Sequence, residues 1–263
     1  MTGAQVKEVL IHDGCVDGVI ASITGGTQTL RVEADTVILA AGGIGSPLIL
    51  QHSGVPEAGH GMTMDTTVMV YGTSRDVGMS VDPPMAVSWC DDDNGYMLST
   101  LIDPWMMYPL VLVRKGMYNP FRLTDYRRVL GVMIKLKDDI SGGISMEGKI
   151  RKPMTENDLN RLNHASNLCR KILVKAGCEP DSIFITPLRG THPSGTVRIG
   201  ELLGTQLQTK IKNLYVCDAS CFPEALDRPT VLTIIALAKR LARHLLNKGK
   251  KGQKDTAPKG EQD

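Results

Sequence analysis

Apolar and polar positions alternate weakly over residues 6–11, and a second short run, 16–23, opens around an Asp17-Gly18 pair. A third, 28–32, follows Gly25-Gly26. This is the pattern of three short strands joined by tight turns, a β-meander. Residues 36–41 are then almost continuously apolar and run into Gly42-Gly43. That predicts a strand buried on both faces and a sharp turn into a helix over 46–52. From about residue 61 the texture changes to short runs at 67–71, 86–89, 96–101, 110–113 and 132–136, separated by Asp, Gly and Pro. These predict an antiparallel sheet and the start of a second domain. Over 155–176, Leu159, Leu162, Ala165, Cys169, Ile172 and Leu173 recur at helical spacing, with Thr155 placed to cap and Gly177 to terminate. Residues 214–217 form one more short apolar run, ending in Asp218 as buried parallel strands do. A final helix is predicted over 229–247, with Pro229 at its first position. Its first half, 231–238, is apolar almost all round, while Lys239, Arg240, Arg243 and His244 follow only later. Its N-terminus is therefore expected to be buried.

A buried helix start leaves N–H groups that need acceptors, and two solutions are open. Pro229 removes one donor and Thr230 caps others, or a bound anionic or carbonyl oxygen takes them. The turn at Gly42-Gly43 has two readings as well: a place where a phosphate approaches backbone and helix N-terminus, or an ordinary strand-to-helix turn. Open α/β sheets bind ligands beyond the carboxyl ends of their strands, so Asp218, Ala219 and Ser220 are expected to face whatever is bound. His192, with Pro193 and Gly195 fixing its loop, is either an acid/base group or a loop histidine bonded to a backbone carbonyl. His164 falls toward the polar side of its helix and reads as solvated. Met62, Met64, Met69, Met79, Met85, Met97, Met106, Met107 and Met117 fit ordinary core filling better than an adaptable apolar pocket.

With 263 residues, 42% of them hydrophobic, the chain has enough apolar material for a core of one large or two small domains. A net charge of +2 points to neither a nucleic-acid nor an acidic partner. The six cysteines show no metal-ligand spacing, so no metal site is expected, and reduced thiols in the cytoplasm are favoured over a disulfide framework. No apolar stretch approaches the roughly 18 residues of a membrane span, and the N-terminus lacks a secretory pattern. The polar, Gly- and Pro-containing tail 248–263 is expected to be disordered.

Three stretches together resemble one family. Gly42 to Val55, with Ser46-Pro47 and a closing Ser53-Gly54, is similar to the second signature of the glucose-methanol-choline (GMC) flavin-dependent oxidoreductases. His192-Pro193-Ser194-Gly195-Thr196-Val197-Arg198-Ile199-Gly200 resembles that family's catalytic-histidine loop. Residues 213–220 with 229–238 resemble its C-terminal flavin-binding strand and helix. The likeness covers nearly the whole chain, but only the C-terminal half to two-thirds of a family member.

The resemblance implies an α/β fold: a partial FAD-binding, Rossmann-like domain at 1–60 and 205–247, its first βαβ unit absent, plus an α+β substrate domain with an antiparallel sheet at 61–204. It implies FAD as cofactor, held by Gly42, Gly43, Ser46, Asp218, Ala219, Pro229, Thr230, Val231 and Leu232, and His192 as the catalytic base that takes an alcohol's proton while hydride passes to the flavin. The family's G-x-G-x-x-G fingerprint does not occur here, so a separate chain carrying that unit, or self-association, is expected to complete the sheet. The family's usual Asn or His partner for the catalytic His is replaced by Arg228 or Pro229. The alternative is a non-catalytic remnant or interaction protein that kept the scaffold.

Overall fold

The computed structural model describes residues 2–23, 28–114, 116, 126–226 and 228–255. Gly25-Gly26, Met117 and the tail beyond 255 lie outside them. The meander forms as the alternation requires: β1 (Ala4–His12), β2 (Cys15–Ile23) and β3 (Thr29–Glu33) make an antiparallel sheet in that order. The run at 36–41 yields β4 (Val37–Leu39), followed by α1 (Gly42–His52), which starts earlier than the sequence suggested because the Gly-Gly pair is its first turn. β4 is not buried on both faces. Val37 and Leu39 point into the core, but Ile38 is 46% exposed and Ala40 and Ala41 are exposed. The strand pairs, in parallel, with β14 (Leu214–Val216) on one edge and with nothing described on the other.

The second region is built on two antiparallel sheets. β5 (His60–Met62) pairs with β10 (Ser141–Ile144), which carries β11 (Ile150–Arg151). β6 (Thr66–Thr73), β7 (Ser88–Asp91), β8 (Tyr96–Thr100), β9 (Val129–Leu136) and β12 (Phe184–Ile185) line up in the order β12-β6-β9-β8-β7, with β13 (Arg189–Gly190) also on β6. Period-2 alternation explains how both faces are filled. Val68, Val70, Leu98, Ile134 and Leu136 pack against α3 (Glu156–Lys175), while Met69, Tyr71, Met97 and Met133 pack under α2 (Tyr108–Arg114). These methionines, with Met62 and Met79, are core residues.

Four local expectations need correction. The run at 110–113 is helical: Tyr108, Val111 and Leu112 are buried at i, i+3 and i+4, a spacing four apolar residues cannot distinguish from a strand. In α3 the inward stripe is Ala165, Cys169 and Leu173, whereas Leu159 and Ile172 flank it and are exposed. Its start is a capping box. Thr155 accepts from the Asp158 backbone N–H and Asp158 accepts from that of Thr155, while Gly177 takes the left-handed φ of +89° just past the end. Thr155→Ala should cost about 1 kcal/mol, read as a lowered urea midpoint at unchanged slope. The ring of His164 is not simply solvated, since its Nδ1 lies 3.1 Å from the Tyr96 hydroxyl.

The fourth correction concerns α4 (Val231–Asp255), which runs past Asn247 and into the segment expected to be disordered. Its start is not buried: Val231 is 61% and Leu232 80% exposed, and Ile235 is exposed too. Only further along do Leu237, Leu241 and Leu245 meet the core formed by β4, β14, α1 and the meander. The first turns therefore present an apolar face with no cover from the described chain.

Candidate active site

The three stretches singled out in the sequence meet at one place. Pro193 of the histidine loop lies so close to Gly43 that a Cβ on Gly43 would sit 1.9 Å from the Pro193 carbonyl oxygen. Thr196 donates its hydroxyl to the Gly43 carbonyl at 2.9 Å. On its other side the loop is laced to the segment after β14. The N–H of Gly195, Val197 and Ile199 donate to the carbonyls of Ala219, Ser220 and Cys221. Gly43 thus serves close packing within the chain.

Asp218 occupies the start of α1. Its carboxylate is buried and accepts from the Gly42 N–H at 2.9 Å, the Ser46 hydroxyl at 2.5 Å, the Ser220 N–H at 2.8 Å and the Ser220 hydroxyl at 2.5 Å. A negative group at a helix N-terminus is what free N–H groups and the dipole favour, so the acceptor for this helix comes from the chain itself. Hydrogen bonds to a charged group contribute about 1.5–3 kcal/mol each, against about 0.5–1.5 for neutral ones. Asp218→Asn should therefore lower unfolding free energy by about 2 kcal/mol, measured by denaturant titration, and an unchanged midpoint would show the carboxylate is not needed there.

His192 is held by a buried polar cluster that the sequence reading missed. Its backbone N–H donates to the Met64 carbonyl, and Ser194 and Thr63 exchange backbone hydrogen bonds, which fixes the loop beside residue 65. The ring Nδ1 lies 3.1 Å from Asp65 Oδ2, 3.0 Å from Lys135 Nζ and 3.2 Å from Thr191 Oγ1. Lys135 and Asp65 form an ion pair at 2.8 Å, with side chains 4% and 1% exposed. Lys135 also donates to the Arg228 carbonyl at 3.2 Å, and so joins the histidine to the stretch that leads into α4. The ring is half-buried, and its partners are the charged side chains of Asp65 and Lys135 and the Thr191 hydroxyl, not the backbone carbonyl that a merely structural loop histidine would seek. Burial, and then the neighbouring Lys135 ammonium, hold the imidazole below the ordinary histidine range, with Asp65 opposing. Burial pushes the Asp65 carboxyl up, opposed by Lys135. Arg228, at the place where the family carries a partner for its histidine, pairs its guanidinium with Asp92. One signal for this cluster lay in the sequence: Lys135 interrupts an apolar strand at a position whose neighbours alternate inward.

Pro229, Thr230, Val231 and Leu232 lie at the start of α4, with Thr230 buried and its carbonyl accepting from the Ile234 N–H. An uncovered apolar helix start, linked through Lys135 to a half-buried imidazole, fits one end of a large, partly apolar planar group such as a flavin. Asp218 fits less directly, because its carboxylate is already saturated. Among the described residues no group of His, Cys, Asp and Glu is arranged to hold a metal ion, and no helix is long and apolar enough to cross a membrane.

Comparison with known proteins bears on the family and the fold. Two sequence models of the GMC oxidoreductase family match the chain, one over residues 1–79 and the other over residues 148–238. An uncharacterized protein of Methanocaldococcus jannaschii is 32% identical over 219 residues, 82% of this chain and 54% of its own length. A formate oxidase variant from Aspergillus oryzae RIB40 superposes with a TM-score of 0.66 at 17% identity, covering 94% of this chain and 60% of that one. Pyridoxine 4-oxidase from Mesorbium loti gives 0.65 at 16% identity, covering 92% and 57%. An FAD-dependent oxidoreductase from Chaetomium thermophilum gives 0.64 at 15% identity, covering 95% and 62%. The chain thus spans little more than half the length of the curated relative it matches. With both family models on the sequence and the same fold in solved flavoenzymes, the chain belongs to the GMC oxidoreductase family, whose cofactor is FAD.

Proposed function

We propose that the chain is the C-terminal part of an oxidoreductase that acts on the CH–OH group of a small-molecule alcohol, with His192 as the acid/base group. The observation that carries this reading is the imidazole whose Nδ1 lies within hydrogen-bond distance of both Asp65 and Lys135, with no hydrogen bond to Nε2 among the described residues. FAD, when bound, supplies the hydride acceptor. His192 Nε2 takes the hydroxyl proton of the alcohol. A histidine suits that task because a ring kept below its ordinary range is neutral, and so able to accept, around neutral pH. The start of α4, at Pro229, Thr230, Val231 and Leu232, offers an apolar surface and backbone N–H groups whose dipole favours negative charge on the flavin side. Gly42, Gly43, Ser46, Asp218 and Ala219 shape the turn on which the remainder of the cofactor would rest, with Asp218 acting through the backbone it orders.

A separate chain carrying a dinucleotide-binding unit, or self-association, would complete the sheet at β4. The cysteines are free, and burial pushes the thiols of Cys169 and Cys221 up to about 12, so neither is a ready nucleophile. Unreactive thiols are compatible with a cytoplasmic enzyme. The reading is tested by purifying the protein with and without a chain bearing G-x-G-x-x-G, then measuring bound flavin and its bleaching by a panel of alcohols. Flavin that binds and is reduced supports it. An assembly that contains the fingerprint yet binds no flavin would leave the alternative, a scaffold kept for interaction.

A further inference from the structure

Lys135 and Asp65 have no assigned part in the reaction, yet they are the most buried charges next to the proposed base. We propose that they are positioning residues. Asp65 accepts the Nδ1 proton of His192, and Lys135 keeps Asp65 ionised, so that the ring stays neutral with its lone pair on Nε2. The proposal rests on the reading of His192 as the acid/base group and specifies how that group is prepared.

The argument is one of donors and acceptors. Asp65 Oδ1 is buried with no hydrogen-bond partner, so the carboxylate depends on what reaches Oδ2. Two donors are within range there, Lys135 Nζ at 2.8 Å and His192 Nδ1 at 3.1 Å. If the ring proton sat on Nε2 instead, the Nδ1 lone pair would face a carboxylate oxygen, and a buried anion would keep a single hydrogen bond. A buried anion short of donors is costly, whereas the Nδ1–H tautomer leaves without its acceptor only the third N–H of Lys135, which lies 3.0 Å from Nδ1, the other two being taken by Asp65 and the Arg228 carbonyl. The Nδ1–H tautomer is therefore the better satisfied one. Asp65 also holds a left-handed φ of +49°, a conformation that non-glycine residues keep only where the surroundings impose it. The other charged groups near the triad are accounted for. Asp138 lies behind Asp65 and is paired with Lys152 at 3.0 Å, and the Arg228 side chain is paired with Asp92.

Histidine-selective 15N NMR on the full chain in its flavin-loaded assembly decides the matter, with His192 assigned by its loss in His192→Ala. The expected result is a neutral ring protonated on Nδ1 around neutral pH, titrating below the ordinary histidine range. Lys135→Met should move that titration, and the acid limb of the pH–rate profile, to higher pH, because a cation that opposed ring protonation is gone. Asp65→Asn should release the proton to Nε2 and lower turnover about 100-fold, as loss of a general base does. Each single variant leaves one buried charge unpaired, so Asp65→Asn with Lys135→Met serves as the folded control and should lose the fixed tautomer. A wild-type ring protonated on Nε2, or a titration unmoved in Lys135→Met, would overturn the proposal. If the tautomer and titration are as expected but His192→Ala keeps its turnover, the base assignment fails while the positioning geometry stands.

Discussion

His192→Ala in the complete, flavin-loaded protein is expected to lower turnover about 10²–10⁴-fold while leaving bound flavin unchanged, since that is the usual contribution of a positioned general base. The loop itself should survive the substitution. It is held by backbone hydrogen bonds from residues 191, 192 and 194 to the carbonyls of Met64 and Thr63, and by Gly195, Val197 and Ile199 to the strand-end segment. What disappears is the imidazole alone. Because only the neutral ring accepts a proton, and burial and Lys135 lower its pKa, wild-type turnover should persist to a pH below the ordinary histidine range and then fall as the ring protonates. A variant that retains its turnover, or that loses flavin along with it, would remove His192 from the chemistry.

The parts of the site legible in the sequence are those fixed by backbone. Gly42-Gly43, the Pro and Gly around His192 and the Asp218 strand end each leave a local signature, and the structure brings all three together through main-chain contacts and the Asp218 carboxylate. The cluster behind His192 was not legible, because Asp65 and Lys135 lie 127 and 57 residues from it and meet it only through the sheet. Local pattern also failed where neighbours decide burial. The run at 231–238 is apolar all round, which in an isolated chain predicts a buried helix, but burial needs something to pack against. The described chain covers only the later turns of α4. The same holds for 36–41, where Ile38 was expected in a core and stands at an open edge.

That open edge carries the second large expectation: expressed alone, the chain should self-associate or expose dye-binding apolar surface, and co-expression with a chain bearing G-x-G-x-x-G should give a soluble yellow complex. Among the described residues β4 pairs with β14 alone, and beside its other edge lies a groove of 680 Å³ lined by Val6, Ile38, Ala40, Leu48 and Ile49 among others. An unpaired, apolar strand edge is a template for another strand. A βαβ unit fits this one because β4 and β14 are already parallel, and parallel neighbours arrive with a crossover helix that would lie over the exposed face. Val6 and Leu48 are half-buried and Ile38 is 46% exposed, so completing their burial would contribute about half of the 1.5–3 kcal/mol of a fully buried side chain for each, an appreciable share of the 5–15 kcal/mol that keeps a whole domain folded. The same arrival would bring the dinucleotide-binding turn toward the α1 end of the site, so completing the sheet and loading the flavin should occur together. Light scattering and dye binding on the chain alone, and absorbance of the co-expressed complex, check this. A monodisperse monomer that melts cooperatively and binds no dye would mean that this edge is stable as it stands and recruits no strand.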